Sequence, residues 1–437
     1  LDKNKNKKNK PEKMKIENKK TDSNKMEHSL KQIWNVFKLA QKKGVSPGQR
    51  VNRKTGEKEE KRVNFKTIES YVGMMESLGR DYKEKYGVSD YRKWQPEKIE
   101  ELIRDRFDNF HKGNTSEAYN VNSLLSALKF YNHAVENISS LQKKHRTLVD
   151  TNKMRKEKNE KNVIRYSKAS KTLRATPDQS VQVLQNIAQD GYKVPTREMA
   201  YHVAKIAQLT GGRHTSVLNL KAEDITIDKK TNSVYFHKDK GGLSRSVKVD
   251  EDTAAYLVAL KEEKGTEEGR LFVAKRKDGT FMSVKETRKE ISRIVTDAGK
   301  HLTTTKMITI KDENGEKKEV EIEQKFSMHS FRKSFALERT HQYIKQFTSK
   351  HQVDKYFAQL IEEEKAFSGE PRLKEKLDTL YERINKDREH PRDITLVEYA
   401  IFATSLDLGH FRNDVITQFY TDFKEVRKYY EEDYPQD

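Results

Sequence analysis

The chain has 437 residues, 88 Lys and Arg against 68 Asp and Glu, a formal net charge of +20 and no cysteine. Disulfides and Cys-ligated zinc or iron–sulfur sites are therefore excluded, and no apolar run approaches the ~20 residues of a membrane span. One third of the residues are hydrophobic, low but enough for two or three packed domains of roughly 150 residues if tails and linkers take the polar excess.

The positive excess is mostly Lys and densest at the start. It asks for a polyanionic partner, although a Lys-rich composition alone is shared by proteins that bind none. Residues 1–27 are a Lys/Asn tract with almost no apolar side chain. They are expected to be a basic disordered arm, serving either as a solubilising tail or as an arm that engages phosphates.

Residues 28–140 read as a small all-helical domain. Leu30, Ile33, Trp34, Phe37 and Ala40 fall at three- to four-residue spacing. Three more stripes follow: Phe65, Ile68, Tyr71, Val72, Met75 and Leu78; Ile99, Leu102, Ile103 and Phe107; Leu124, Leu125, Leu128, Tyr131 and Val135. Such stripes form core, so no catalytic residue is assigned to them. Gly44 to Asn64 reads as a basic loop, and 141–171 as a basic interdomain linker poor in apolar residues.

Residues 172–437 read as an α+β, mostly helical domain with a small antiparallel sheet. Thr176-Pro177-Asp178 supplies a cap hydroxyl, a proline at the first helical position and a first-turn acid. Short β-type runs follow at Ile225–Ile227, Val234–His237 and Ser246–Val249, then helices at Ala254–Lys264 and Lys285–Ala298. Met307–Ile310 and Val320–Ile322 flank Asn314-Gly315, a hairpin signal. A charged helical insertion spans about 343–396. The tail 421–437 carries Phe423, Val426, Tyr429 and Tyr430 at helical spacing. That stripe must bury on its own domain or on a neighbouring copy.

Four short motifs carry candidate chemistry. They are Thr210-Gly211-Gly212-Arg213; Lys240 in the turn of a hairpin with Gly241 and Arg245; His329-Ser330-Phe331-Arg332; and Leu408-Gly409-His410, followed by Tyr420. Each alone is an ordinary surface pattern. In this order, on these elements, the set resembles the tyrosine recombinase (phage integrase) family, whose pattern runs T-G-x-R, a hairpin Lys, H-x-x-R, L-G-H and a Tyr. The motifs cover about 172–425; the helical domain suits the family's core-binding, DNA-binding domain, without a motif of its own.

The resemblance implies a site-specific DNA recombinase or integrase of a mobile element, plasmid or phage. Arg213 and Arg332 would clamp the two non-bridging oxygens of a phosphodiester, as planar guanidinium matches phosphate. Losing one such donor costs about 100- to 1000-fold in rate. Tyr420 would be the nucleophile. A free phenol, with pKa near 10, is mostly protonated at neutral pH, so a base such as His329 would take its proton. His410 would donate a hydrogen bond to the phosphate, and Lys240 would protonate the leaving 5′-oxygen. The product would be a 3′-phosphotyrosine, with strands exchanged by a homo-tetramer through a four-way junction. The implied partners are double-stranded recombination sites and, optionally, accessory DNA-bending proteins, with no membrane, in a bacterial cytoplasm. No Asp/Glu cluster of the kind that holds Mg²⁺ is evident, so a metal-free reaction without ATP or cofactor is expected.

Rivals stand beside these assignments: Lys238 for Lys240, and Tyr429 and Tyr430 for Tyr420. Three departures from the family are visible. Ser216 replaces an acid, Lys333 replaces the second His of H-x-x-R-H, and the interval from Arg332 to His410 is long. The same chemistry would serve a type IB topoisomerase or a hairpin telomere resolvase. A non-catalytic DNA-binding protein is the alternative of another class.

Overall fold

The computed structural model describes residues 28–46, 49–51, 58–60, 63–166, 170–189, 195–227, 232–236, 245–263, 269–276, 278–368, 372–386 and 388–434. The arm at 1–27 and the turn carrying Lys238 and Lys240 lie outside them. Two compact units divide the chain: 1–169 with 307–321, and 170–306 with 322–437.

In the first unit, helices α1 (28–42), α2 (Phe65–Tyr86), α3 (Pro96–His111) and α4 (Glu117–Asn137) follow the four apolar stripes. The Asn64 side chain caps α2 by accepting from Thr67 N at 2.8 Å, and Gly87, at φ +71°, ends it. Pro96 opens α3, where its missing N–H costs nothing. Phe37, Ile68, Met75, Phe107, Leu124 and Phe130 are fully buried at the centre. Each contributes about 1.5–3 kcal/mol by leaving water. The stretch Gly44 to Asn64, expected as a loop, holds an antiparallel pair, β1 (Gln49–Val51) with β2 (Lys58–Glu60).

The expected linker holds structure too. A short helix α5 (Ser139–Gln142) is followed by α6 (Thr151–Glu160). The Asn132 amide accepts from Leu148 N and donates to Val149 O, at 2.9 and 2.7 Å. Arg104 pairs with Glu157 at 2.6 Å, and Met154 is fully buried. Leu148, Met154 and Val163 suffice to seat this segment, although Lys, Arg and Asn dominate its composition.

The second unit is built around α12 (Met328–Gln346), which packs on α8 (Pro195–Thr210) and α15 (Leu396–Asp407). Helix α7 (Pro177–Gln189) begins at the expected signal: Thr176 Oγ1 accepts from Gln179 N, and Gln179 Oε1 accepts from Thr176 N. A three-stranded antiparallel sheet β3 (Ile225–Ile227), β4 (Asn232–Phe236), β5 (Arg245–Lys248) pairs Val234 with both Ile225 and Val247. Helices α9 (His214–Leu218), α10 (Glu251–Glu263) and α11 (Val284–Ala298) complete this layer. The hairpin β6 (Thr303–Lys311), β7 (Lys317–Lys325) turns at Gly315, φ +88°. Its tip groups with the first unit and its base with the second.

The insertion forms α13 (Lys350–Ser368) and α14 (Arg372–Asn385) over a small core of its own, with Phe347, Val353, Phe357, Leu380 and Phe402. The chain then runs through α16 (Asn413–Phe419) to α17 (Phe423–Tyr429). The tail lies on its own unit. Val426 is fully buried, Tyr429 Oη donates to Asp178 at 2.7 Å, and Tyr430 stacks on His341 at 3.7 Å. No helix among the described residues is long and apolar enough to cross a membrane.

Candidate active site

The first piece of the site is the end of α8. Thr210 Oγ1 donates to Ile206 O at 2.6 Å and accepts from Gly212 N at 3.2 Å, so the hydroxyl closes the helix and starts the turn. Gly211 sits at φ +60°, and a Cβ there would lie 2.5 Å from Phe335 and 2.7 Å from Leu408. Left-handed backbone and close packing thus both require glycine. The turn delivers Arg213, half-buried, to the N-cap of α9.

The second piece is α12, where His329 and Arg332 lie one turn apart on one face. Arg332 is fully buried. A guanidinium taken out of water needs its donors satisfied. Here Nη1 donates to Gly211 O, Nη2 to Leu408 O, and Nε to Tyr420 Oη at 3.2 Å. Nη2 also lies 3.2 Å from His410 Nε2.

The Leu408-Gly409-His410 motif is a helix terminator. Gly409 takes φ +62°, its N–H donates to Leu406 O, and His410 N donates to Ser405 O. This Schellman arrangement ends α15 and turns the imidazole back toward the α12 face. Leu408 O, which the cap leaves open, receives the Arg332 guanidinium.

Tyr420 is the C-cap of α16, and its N–H donates to Ile416 O at 2.9 Å. The residue is 4% exposed. Its hydroxyl lies 2.9 Å from His410 Nε2 as well as 3.2 Å from Arg332 Nε. The exposed His329 ring meets the phenol ring edge-on at a centroid distance of 5.3 Å.

The structure thus brings together four of the six residues singled out in the sequence: His329, Arg332, His410 and Tyr420. Arg213 stands two residues from Gly211, whose carbonyl Arg332 holds. Lys240 lies outside the described residues. The rivals Tyr429 and Tyr430 are engaged by Asp178 and His341 instead.

Two arginines escaped the sequence reading as parts of this site. Arg245, noted there only for its spacing from Lys240, is buried under Phe236 and donates to Asp407 O and toward Gly211 O. Its 3.4 Å contact is with the same glycine carbonyl that Arg332 holds. Arg174 reaches Thr417 and Gln418 just ahead of Tyr420. The hairpin spacing marks Arg245 without revealing its contacts, and no motif marks Arg174, because their partners at this site are backbone carbonyls, which every sequence has. Lys333, at the position of the family's second His, is 2% exposed and donates to Thr172 O at 2.7 Å. Burial, aided by the charge of Arg174, pushes its ammonium down to about 7.

Residues 173–344 match the family model described as the phage integrase family. His410 and Tyr420 lie beyond the matched segment. Solved structures similar to this chain include XerH site-specific recombinase bound to palindromic difH substrate, at 12% identity and TM-score 0.40, covering 83% of this chain and 79% of that one. XerA recombinase matches at 16% and 0.33, covering 86% and 95%. The Tn1549 transposon integrase in complex with circular intermediate DNA matches at 12% and 0.42, covering 91% and 98%. No curated protein matches the chain in sequence.

Proposed function

We propose that the chain cuts and rejoins duplex DNA at specific sites through a covalent tyrosine intermediate, as an integrase of a mobile element, plasmid or phage. The observation that carries this reading is the Tyr420 hydroxyl held between His410 Nε2 and Arg332 Nε at 2.9 and 3.2 Å.

The chemistry follows from those neighbours. A phosphodiester entering the site takes the donors that now meet the phenol oxygen, and Tyr420 turns to face phosphorus. Arg332 and Arg213 grip the non-bridging oxygens, and His410 donates a third hydrogen bond. These fixed donors match the charge that grows on the equatorial oxygens in the transition state, at no cost of reorganisation. His329, at the exposed edge of the ring, takes the phenol proton. Tyr420 Oη bonds to phosphorus, the 5′-oxygen leaves, and Lys240 protonates it. The 3′-phosphotyrosine keeps the bond energy, so a second 5′-hydroxyl can attack and release the tyrosine without ATP. Four copies on two sites would exchange strands pairwise through a four-way junction.

The net charge of +20 supports a duplex partner held largely through its phosphates. The test is a suicide substrate nicked near the scissile position, which loses its short 5′-hydroxyl fragment on cleavage. Wild-type protein should accumulate a covalent adduct carrying the 3′-phosphate end, and Tyr420→Phe should form none. Absence of an adduct with wild type across candidate sites would support a non-catalytic DNA-binding protein. Relaxation of plasmids lacking any recombination site would point to a topoisomerase.

A further inference from the structure

Arg174 makes contacts on both sides of Tyr420 in the chain. Nη2 donates to Gln418 O at 2.7 Å and to Thr417 O at 3.2 Å. Nη1 pairs with Glu425 at 2.6 Å and lies 3.8 Å from Asp422. The residue therefore ties the last turn of α16 to the first turn of α17, across the junction where Tyr420 stands. The ends of a helix leave carbonyls without intrahelical partners, and the partial negative charge there favours a cation. The same guanidinium meets the acids that open the next helix.

The junction is short. Tyr420 N and Thr421 N both donate to Ile416 O, and Asp422 already caps α17 by accepting from Glu425 N. Tyr420 therefore has little backbone of its own with which to adjust. Arg174, in turn, is fixed from below. Leu173 N donates to Lys325 O, and Lys325 N donates to Lys171 O, each at 2.9 Å. Leu173 and Ala175 are buried in the main core. The buried Lys333, next to Arg332 on α12, donates to Thr172 O. One strand segment thus links the helix of Arg332 to the segment of Tyr420.

We propose that Arg174 is a positioning residue for DNA cleavage, setting the Tyr420 hydroxyl against Arg332 and His410 by holding the α16–α17 junction. The inference rests on the reading of Tyr420 as nucleophile. Arg174 touches neither that hydroxyl nor any reacting atom. Its loss should therefore slow the formation of the phosphotyrosine while leaving DNA affinity in place.

The experiment measures single-turnover adduct formation on the suicide substrate at saturating protein, with affinity by titration and melting temperature alongside. Arg174→Ala should lower the cleavage rate by about 10- to 100-fold, the effect of an ångström-scale misplacement, with Kd changed by less than about twofold. Arg174→Lys keeps the charge and one donor and should recover part of that loss. Glu425→Gln removes one anchor at a half-exposed position and should slow cleavage by about two- to fivefold. Guanidinium ion added to the Arg174→Ala protein should restore rate, which a merely folded-state role would not allow. Wild-type rates in Arg174→Lys and Glu425→Gln, or a loss in Arg174→Ala that follows Kd or melting temperature alone, would overturn the proposal. Wild type and Tyr420→Phe serve as controls. An adduct that survives in Tyr420→Phe refutes the nucleophile itself, whereas intact controls with unaffected Arg174 variants refute this inference only.

Discussion

Tyr420 and the Tyr343–Tyr356 pair of the second unit differ in their neighbours. Tyr420 meets a guanidinium and an imidazole. Tyr343 and Tyr356, 2.8 Å apart through their hydroxyls, meet Asp407, which accepts from Tyr343 at 2.8 Å. Burial, reinforced by the Asp407 charge, raises the Tyr343 phenol far above its ordinary range; burial, with the charge of Tyr343, does the same to Tyr356. Both are held as neutral phenols that tie the insertion to α15. Burial is common to Tyr420 and Tyr343. The partners of the hydroxyl separate the two: an imidazole and a guanidinium at Tyr420, a carboxylate at Tyr343, whose ring also lies 5.2 Å from the Arg339 guanidinium.

Asp407 is where the two sets of contacts join. Its backbone carbonyl accepts from Arg245, which also faces Gly211, while its carboxylate pairs with Arg339 at 2.7 Å. The residue that ends α15 just before Leu408-Gly409-His410 thus supports the turn on one side and the insertion on the other.

Substitutions can break this contrast. Arg332→Ala should lower cleavage by about 100- to 1000-fold for the lost phosphate donor. It should also lower stability, because the Leu408 carbonyl would be left buried without that partner, at about 1–3 kcal/mol, and the Gly211 carbonyl would keep only the longer contact from Arg245. Single-turnover cleavage and denaturant unfolding check the two parts separately. Phe357→Ala, in the core of the insertion and 4% exposed, should cost about 3–5 kcal/mol yet leave the cleavage rate of the folded fraction within about twofold. A hundredfold loss there would tie the insertion to the chemistry. Asp407→Asn removes the charge that pairs with Arg339 and should cost about 3 kcal/mol, read by urea unfolding. Tyr343→Phe should cost about 1 kcal/mol for one hydrogen bond and leave adduct formation unchanged, in contrast to Tyr420→Phe.

A further expected effect is a pH slope. Burial depresses the Lys333 ammonium from its ordinary 10.5 to about 7. Between about pH 7 and 10.5 the unfolded chain therefore holds a proton that the folded chain has released. Stability gains from this group as pH rises through that window and loses as pH falls, by up to about 1.4 kcal/mol per pH unit. The difference in unfolding free energy between wild type and Lys333→Met should accordingly move in favour of wild type from pH 7 to pH 9. A pH-independent difference would mean that the lysine stays charged in the fold.

Much of this was legible in the sequence because packing and chemistry impose residue types at fixed spacing. The α1–α4 stripes, the Thr176-Pro177-Asp178 start and the β3–β5 runs each announced themselves through periodicity or a cap. So did His329 and Arg332, one helical turn apart. Leu408-Gly409-His410 was readable because a Schellman turn demands Gly409. The rest had no local signature. The seating of 141–166 on the first unit depends on Leu148, Met154 and Val163, isolated among polar residues. The parts played by Arg245 and Arg174 depend on carbonyls more than 30 and 240 residues away in sequence. The docking of the tail on its own unit is set by Asp178 and His341, which no pattern links to Tyr429 and Tyr430.

The most direct measurement is peptide mapping of the covalent complex trapped on a nicked suicide substrate, with sequencing of the attached DNA end. The account predicts a single modified peptide, bearing the 3′-phosphate-linked nucleotide on Tyr420. A nucleotide found on Tyr429, Tyr430 or any other side chain, or attached through a 5′-phosphate, would contradict it.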